Sequence, residues 1–207
     1  IGFADDYIKI VKRRSLGLTG RMKLVLQFSL SFGIGLALVW LSAAGQYKTN
    51  LIFPFFKPFA PSLVVEGLLS SPYLYLPAFI PFLLFISIVM VGSSNTVNLT
   101  DGLDGLAIGC VVIASGALTV LTYATGHGRF ASYLDIQHLP QVSEATIFCG
   151  ALVGASLGFL WYNCHPAEVF MGDVGSLALG GAIGTIAVLI KQEVLLQRKI
   201  ESVLLED

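Results

Sequence analysis

"LDGLAIGCVVIASGALTVLTYATG", residues 103–126, decides what kind of protein this is. After Asp104 it runs 22 residues to Gly126 without a formal charge, and it is rich in Gly, Ala and Ser. A hydrocarbon core about 30 Å thick needs roughly 20 apolar residues of helix to cross it. Small residues along such a helix suit close packing against neighbouring helices in lipid. The stretch reads as a transmembrane helix inside a bundle.

Four more stretches of that length and character flank it, at about 24–44, 72–92, 144–162 and 175–192. Composition agrees. Of 207 residues, 55% are hydrophobic and 12% charged, and the mean hydropathy is +0.80. A soluble domain carries about 25% charged residues. The expected fold is therefore all-α and polytopic, an integral membrane protein with five transmembrane helices in a single transmembrane domain spanning 1–207. Pro77 and Pro81 are expected to bend the second helix, which lipid tolerates when neighbours satisfy the freed carbonyls. A net charge of −1 offers no basic field for nucleic acid. Cys110, Cys149 and Cys164 have neither disulfide-framework nor zinc spacing and read as small hydrophobes.

Five spans sort the connections by parity. Residues 1–23, 93–102 and 163–174 fall on one side; 45–71, 127–143 and the tail fall on the other. Lys9, Lys12, Arg13, Arg14, Arg21 and Lys23 precede the first span, whereas only Lys48, Lys57 and Arg129 lie in the opposite loops. The positive-inside rule makes the first side cytoplasmic. Lys191, Arg198 and Lys199 near the C-terminus argue weakly the other way.

Parity also brings Asp5, Asp6, Asp101, Asp104 and Asp173 to that same face. Five carboxylates gathered together repel unless a cation or cationic side chain joins them. Lys9 lies four residues after Asp5 and three after Asp6, so one helical turn carries it to both. For Lys12, Arg13 and Arg14 the plainer reading is topology and contact with anionic headgroups.

"NTVNLTDGLDGLA", residues 95–107, places Asn95, Asn98, Asp101 and Asp104 at every third position. On one regular helix a step of three drifts by about 60°, so all four share a direction only if the backbone breaks. Gly102 and Gly105 make that break easy. The expected geometry is a membrane-edge loop lined with oxygens; the competing reading is that Asn98, Thr100 or Asp101 caps the next helix. In "NCHPAEVFMGDVGSLALGG", residues 163–181, Asp173 stands between Gly172 and Gly175 before a helix whose N-terminus favours phosphate. There Asp173 is either a cation ligand or, like Ser176, a cap. Phe170 is either a stacking surface for a base or a core residue, and His165 is open between phosphate and loop backbone. No Walker A, GxGxxG, HExxH or GxSxG motif is present. The later aspartates that CDP-alcohol phosphotransferases need are missing from 103–126.

Taken together, GFADDYIK (2–9), NTVNLTDGLDGLA (95–107) and HPAEVFMGDVGSLALGG (165–181) resemble the polyprenyl-phosphate N-acetylhexosamine-1-phosphate transferase superfamily. Within it they are most similar to the phospho-N-acetylmuramoyl-pentapeptide transferase family. The resemblance covers the chain to about residue 196. It implies a ten-helix bundle in a bacterial inner membrane, with the active site facing the cytoplasm and this chain forming the middle of the fold. It implies Mg²⁺-dependent transfer from UDP-N-acetylmuramoyl-pentapeptide to undecaprenyl phosphate, which gives UMP and the first lipid-linked peptidoglycan precursor. Asp173 would be the Mg²⁺ ligand, and Asp5 and Asp6 would handle the lipid phosphate. Lys9 and His165 join the substrate-contacting set; Asn98, Asp101 and Asp104 would line the nucleotide-sugar site, with Asn163 and Phe170 near the uridine. A homodimer is left open.

The family's His-rich loop and basic N-terminal segment are not found in the chain, and "LLQRKIESVLLED" (195–207) turns polar. The chain begins at Ile1, and it is read as a fragment, inactive alone. A sister N-acetylglucosamine-1-phosphate transferase, a cation transporter and a non-catalytic remnant are the alternatives. A transporter would hold its acids at mid-membrane.

Overall fold

The computed structural model describes residues 1–13, 17–52, 61–69, 73, 75–134 and 136–192. Arg14, Lys57 and the tail from 193 onward, used above to sort the two sides, lie outside them. The described residues are helical and contain no strand. In chain order they form α1 (Gly2–Val11), α2 (Gly20–Ala43), α3 (Tyr75–Ala78), α4 (Ile80–Thr100), α5 (Leu106–Gly126), α6 (Gly128–Tyr133), α7 (Ala145–Asn163) and α8 (Gly172–Leu189). Helices α2, α4, α5, α7 and α8 are long and apolar enough to cross a membrane. In hydrocarbon a helix satisfies its own backbone, which is why apolar runs of this length take that form.

Helix α4 is central. It packs along α8 on one side and α2 on the other, while α5 pairs with α7 and α1 lies against α8. The α4–α8 seam is built on small residues. Gly180 and Gly184 of α8 face Ser93 and Met90 of α4 so closely that a side chain at Gly180 would meet the backbone of Ser93 and Ser94. Ser93 Oγ donates to the Gly180 carbonyl (2.7 Å) and Ser94 Oγ to that of Leu177 (2.9 Å). Close backbone approach and hydroxyl bonds of this kind are how helices associate in lipid, where apolar burial gains nothing over lipid tails. Phe82, Ile86 and Val89 of α4 fill the space toward Leu38 and Val39 of α2. Large apolar side chains on α2 (Val25, Leu30, Trp40) and α7 (Ile147, Phe148, Trp161) point outward, as a lipid-facing surface requires.

The second span differs from its expected limits of 72–92. Its helix begins at Ile80 and runs on to Thr100. Pro81 lies in its first turn, where a missing N–H is an orphan anyway, so proline starts this helix rather than bending it. At the other end the polar residues 93–98 stay helical because Ser93, Ser94, Asn95 and Asn98 all find partners on α2 or α8. The expected loop 93–102 is thus a short break after Thr100. Gly105, at φ +75°, begins α5 in a conformation that other residues rarely adopt. The first span likewise starts earlier than 24, at Gly20, after Thr19 caps it by accepting from Met22 N–H (3.4 Å). The remaining limits move by three residues or fewer.

Candidate active site

Helix α1 is short, and its placement makes the site. Gly2 sits where any side chain would run into the backbone of Asp173 and Val174, so its hydrogen lets α1 lie directly on the first turn of α8. That contact delivers Asp5 and Asp6 to Asp173 across 168 residues of sequence. Carboxylate oxygens of the three lie within 4.8 Å of one another.

Two lysines offset most of their charge. Lys9 Nζ is 2.6 Å from Asp5 Oδ2, 3.2 Å from Asp6 Oδ1 and 2.9 Å from Asp173 Oδ2. Lys23 Nζ is 3.1 Å from the same Asp5 oxygen and 2.7 Å from the same Asp173 oxygen. Asp5 is fully buried, a position an ionised carboxylate holds only with such partners. Its other oxygen accepts the Leu18 N–H (2.5 Å), which ties the segment ahead of α2 to α1. Hydrogen bonds to Asp5 and Asp173, working against the cost of burial, keep Lys9 protonated well above the ordinary lysine range.

The rest of α8's first turn is held from other helices. Asp6 Oδ2 accepts the Val174 N–H at 3.0 Å, so an acid on α1 serves the free end of α8. Asn98 Nδ2, on the last full turn of α4, reaches Asp173 Oδ1 (2.8 Å) and Ser176 Oγ (2.8 Å). Ser176 in turn donates to the Gly172 carbonyl (2.9 Å). Neither α5 nor α8 has a side-chain cap from its own N-cap residue. The capping readings of Asn98, Asp173 and Ser176 therefore give way to contacts between helices, and Asp101 caps neither helix.

The four-residue ladder does not act as one lining. Asn95 pairs with Gln27 of α2, donating at 2.9 Å, one turn deeper in the bundle. Asp101 follows α4, and burial together with the nearby Asp173 charge raises its pKa above the usual carboxylate range. Asp104 turns to the loop before α8, where Oδ2 accepts the Ala167 N–H (3.1 Å) and lies 3.2 Å from His165 Nδ1. Asn163 is buried and spends its amide on backbone, donating to Val169 O (2.8 Å) and accepting from Gly105 N (3.2 Å). Asp104 and Asn163 thus join loops 101–105 and 164–171. Phe170 on the second loop is 74% exposed, so it is not a core residue of the described fold.

Lys23, Gln27 and Ser176 escaped sequence reasoning as site residues. In the sequence Lys23 reads as part of the basic run, and only the early start of α2 shows that it belongs to the first turn of a membrane helix. The order of the three motifs across the spans is the remaining evidence of kinship. A profile of glycosyl transferase family 4 matches residues 1–191.

The chain belongs to glycosyl transferase family 4. Its curated relatives within that family include a protein of Koribacter versatilis, 62% identical over 196 residues, and one of Acidobacterium capsulatum, 65% identical over 196. A Geobacter protein is 50% identical over the same number. All three carry the name phospho-N-acetylmuramoyl-pentapeptide-transferase. The match covers 95% of this chain and 52%, 52% and 50% of theirs, so the chain spans about half the length of these relatives. The acid triad and its two lysines lie within the part that the family profile covers.

Proposed function

We propose that this chain carries the catalytic centre of a transferase that moves phospho-N-acetylmuramoyl-pentapeptide from UDP to undecaprenyl phosphate. A phosphate oxygen of the lipid forms a bond to the sugar-linked phosphorus, the bond to UMP breaks, and UMP leaves. The observation that carries this reading is the convergence of Asp5, Asp6 and Asp173 with Lys9, Lys23 and Asn98 at one end of the membrane helices. The names of the relatives support the substrate.

The residues fit the family's Mg²⁺. Three carboxylates within 4.8 Å of one another are the hard oxygen donors such a cation takes. When bound, Mg²⁺ supplies positive charge that lets two anionic phosphates approach. Transfer of this kind is chiefly positioning and electrostatics. Asp173 stands central among the donors, fixed by Asn98. Of the acid pair, Asp5 is enclosed and anchors the segment before α2, whereas the Asp6 side chain is 25% exposed and is the one that an incoming lipid phosphate meets. Lys9 and Lys23 offset phosphate charge. Asp101 lies on the donor side of the triad, and exposed Phe170 is the surface on which the uracil ring stacks. Asp104 and Asn163 hold the two loops that frame that surface, with His165 at the Asp104 end. The protein sits in a bacterial inner membrane with this end toward the cytoplasm.

Since the chain spans about half of its relatives, residues 1–207 alone are proposed to be inactive. The test is a hybrid in which they replace the matching segment of the Koribacter relative. Membranes carrying the hybrid should convert labelled UDP-N-acetylmuramoyl-pentapeptide to a lipid-extractable product when Mg²⁺ is present. A well-expressed hybrid that forms no product would refute the reading.

A further inference from the structure

The acid triad already contains a cation of the protein's own. An ammonium has three N–H donors, and those of Lys9 are matched by three acids on two helices: Asp5 and Asp6 of α1, and Asp173 of α8. Two of the three oxygens, Asp5 Oδ2 and Asp173 Oδ2, are shared with Lys23, so each faces two ammonium groups. Like charges crowded on common oxygens repel. Lys23 is carried on a membrane helix. Lys9 is carried on a helix of ten residues, and its side chain is 32% exposed, so Lys9 is the one with a way out.

We propose that Lys9 is a displaceable counter-cation: it holds the triad together in the cation-free protein, and a divalent cation that takes these carboxylates expels its ammonium toward solvent. The inference rests on the reading that the triad binds Mg²⁺. Its consequence is order. The acids stay ion-paired while no metal is bound, and a free ammonium appears at this end of the bundle only once the metal is in place.

The experiment uses the purified hybrid enzyme in detergent, with an amine-acylating ester and peptide mass spectrometry. Lys9, ion-paired and protonated, should acylate slowly, and exposed Lys12 serves as internal reference. Addition of MgCl₂, against KCl of equal ionic strength, should raise the acylation of Lys9 relative to Lys12 several-fold. In parallel, calorimetric titration with MgCl₂ should show Lys9→Met binding about tenfold more tightly than wild type, which corresponds to ~1.4 kcal/mol. If Mg²⁺ binds and Lys9 acylation is unchanged, or if Lys9→Met binds Mg²⁺ no more tightly, the displacement idea is overturned and the metal reading stands. If neither protein takes up Mg²⁺ and acylation never changes, both fall.

Discussion

At the scale of single residues, Asp173 and Asp101 illustrate opposite uses of a carboxylate. Asp173 is held by Lys9, Lys23 and Asn98 and is the centre of the proposed chemistry. Asp173→Asn keeps the shape and removes the charge. In the hybrid enzyme we expect product formation to fall by about 10²- to 10³-fold or more, the usual loss for a preorganised electrostatic contact. Turnover within a few-fold of normal would place the metal ligand elsewhere. Asp101 has a raised pKa, first from burial and then from the charge of Asp173. The folded protein therefore binds that proton more tightly than the unfolded chain does. Stability is lost as pH rises from the ordinary carboxylate range through the raised value, and it does not return above it. Asp101→Asn removes this loss, so its Tm should exceed that of wild type at neutral pH and the gap should close in acid. A Tm difference independent of pH would contradict the assignment.

At the scale of elements, the α4–α8 pair sets the geometry, and its small residues can be tested against each other. A Cβ at Gly180 would lie 2.5 Å from the Ser93 carbonyl oxygen, whereas one at the adjacent Gly181 meets nothing within 4 Å. Gly180→Ala should destabilise the protein by about 1–3 kcal/mol, since forced overpacking at a backbone contact cannot be relieved by a rotamer change. Gly181→Ala should be neutral or slightly stabilising, because alanine favours helix. Denaturation in detergent, followed by circular dichroism, compares the two. Equal effects would show that the seam is not packed as described.

At the scale of the whole molecule, the helices alternate direction, and the acid triad, the break at 101–105 and the loop before α8 share one end. The excess of basic residues before α2 supports the proposal that this end faces the cytoplasm. Cys164 is a native reporter there, and it is exposed. Tyr133, at the end of α6, is 85% exposed at the opposite end. In intact cells, with Cys110 replaced by Ala, a membrane-impermeant maleimide should label Tyr133→Cys and leave Cys164 untouched until the membrane is opened. Labelling of Cys164 from outside would invert the topology.

The fold class was legible because lipid leaves few options: long apolar runs must be helices, and their number and the parity of loops follow from length alone. The Asp5–Lys9 and Asp6–Lys9 pairs were legible too, since a helical turn brings i, i+3 and i+4 together. Gathering of the acids on one side followed from parity. Three things were decided only in three dimensions. The register of α4 was one, because nothing local says that residues 93–98 stay helical; their partners on α2 and α8 do. The inclusion of Lys23 was another, since a basic residue beside a span looks the same whether it faces headgroups or a triad. The last was the division of the ladder, with Asn95 to Gln27, Asn98 to Asp173 and Asp104 to His165. Spacing in sequence sets direction along one helix; which neighbour waits there is set by packing between helices far apart in the chain.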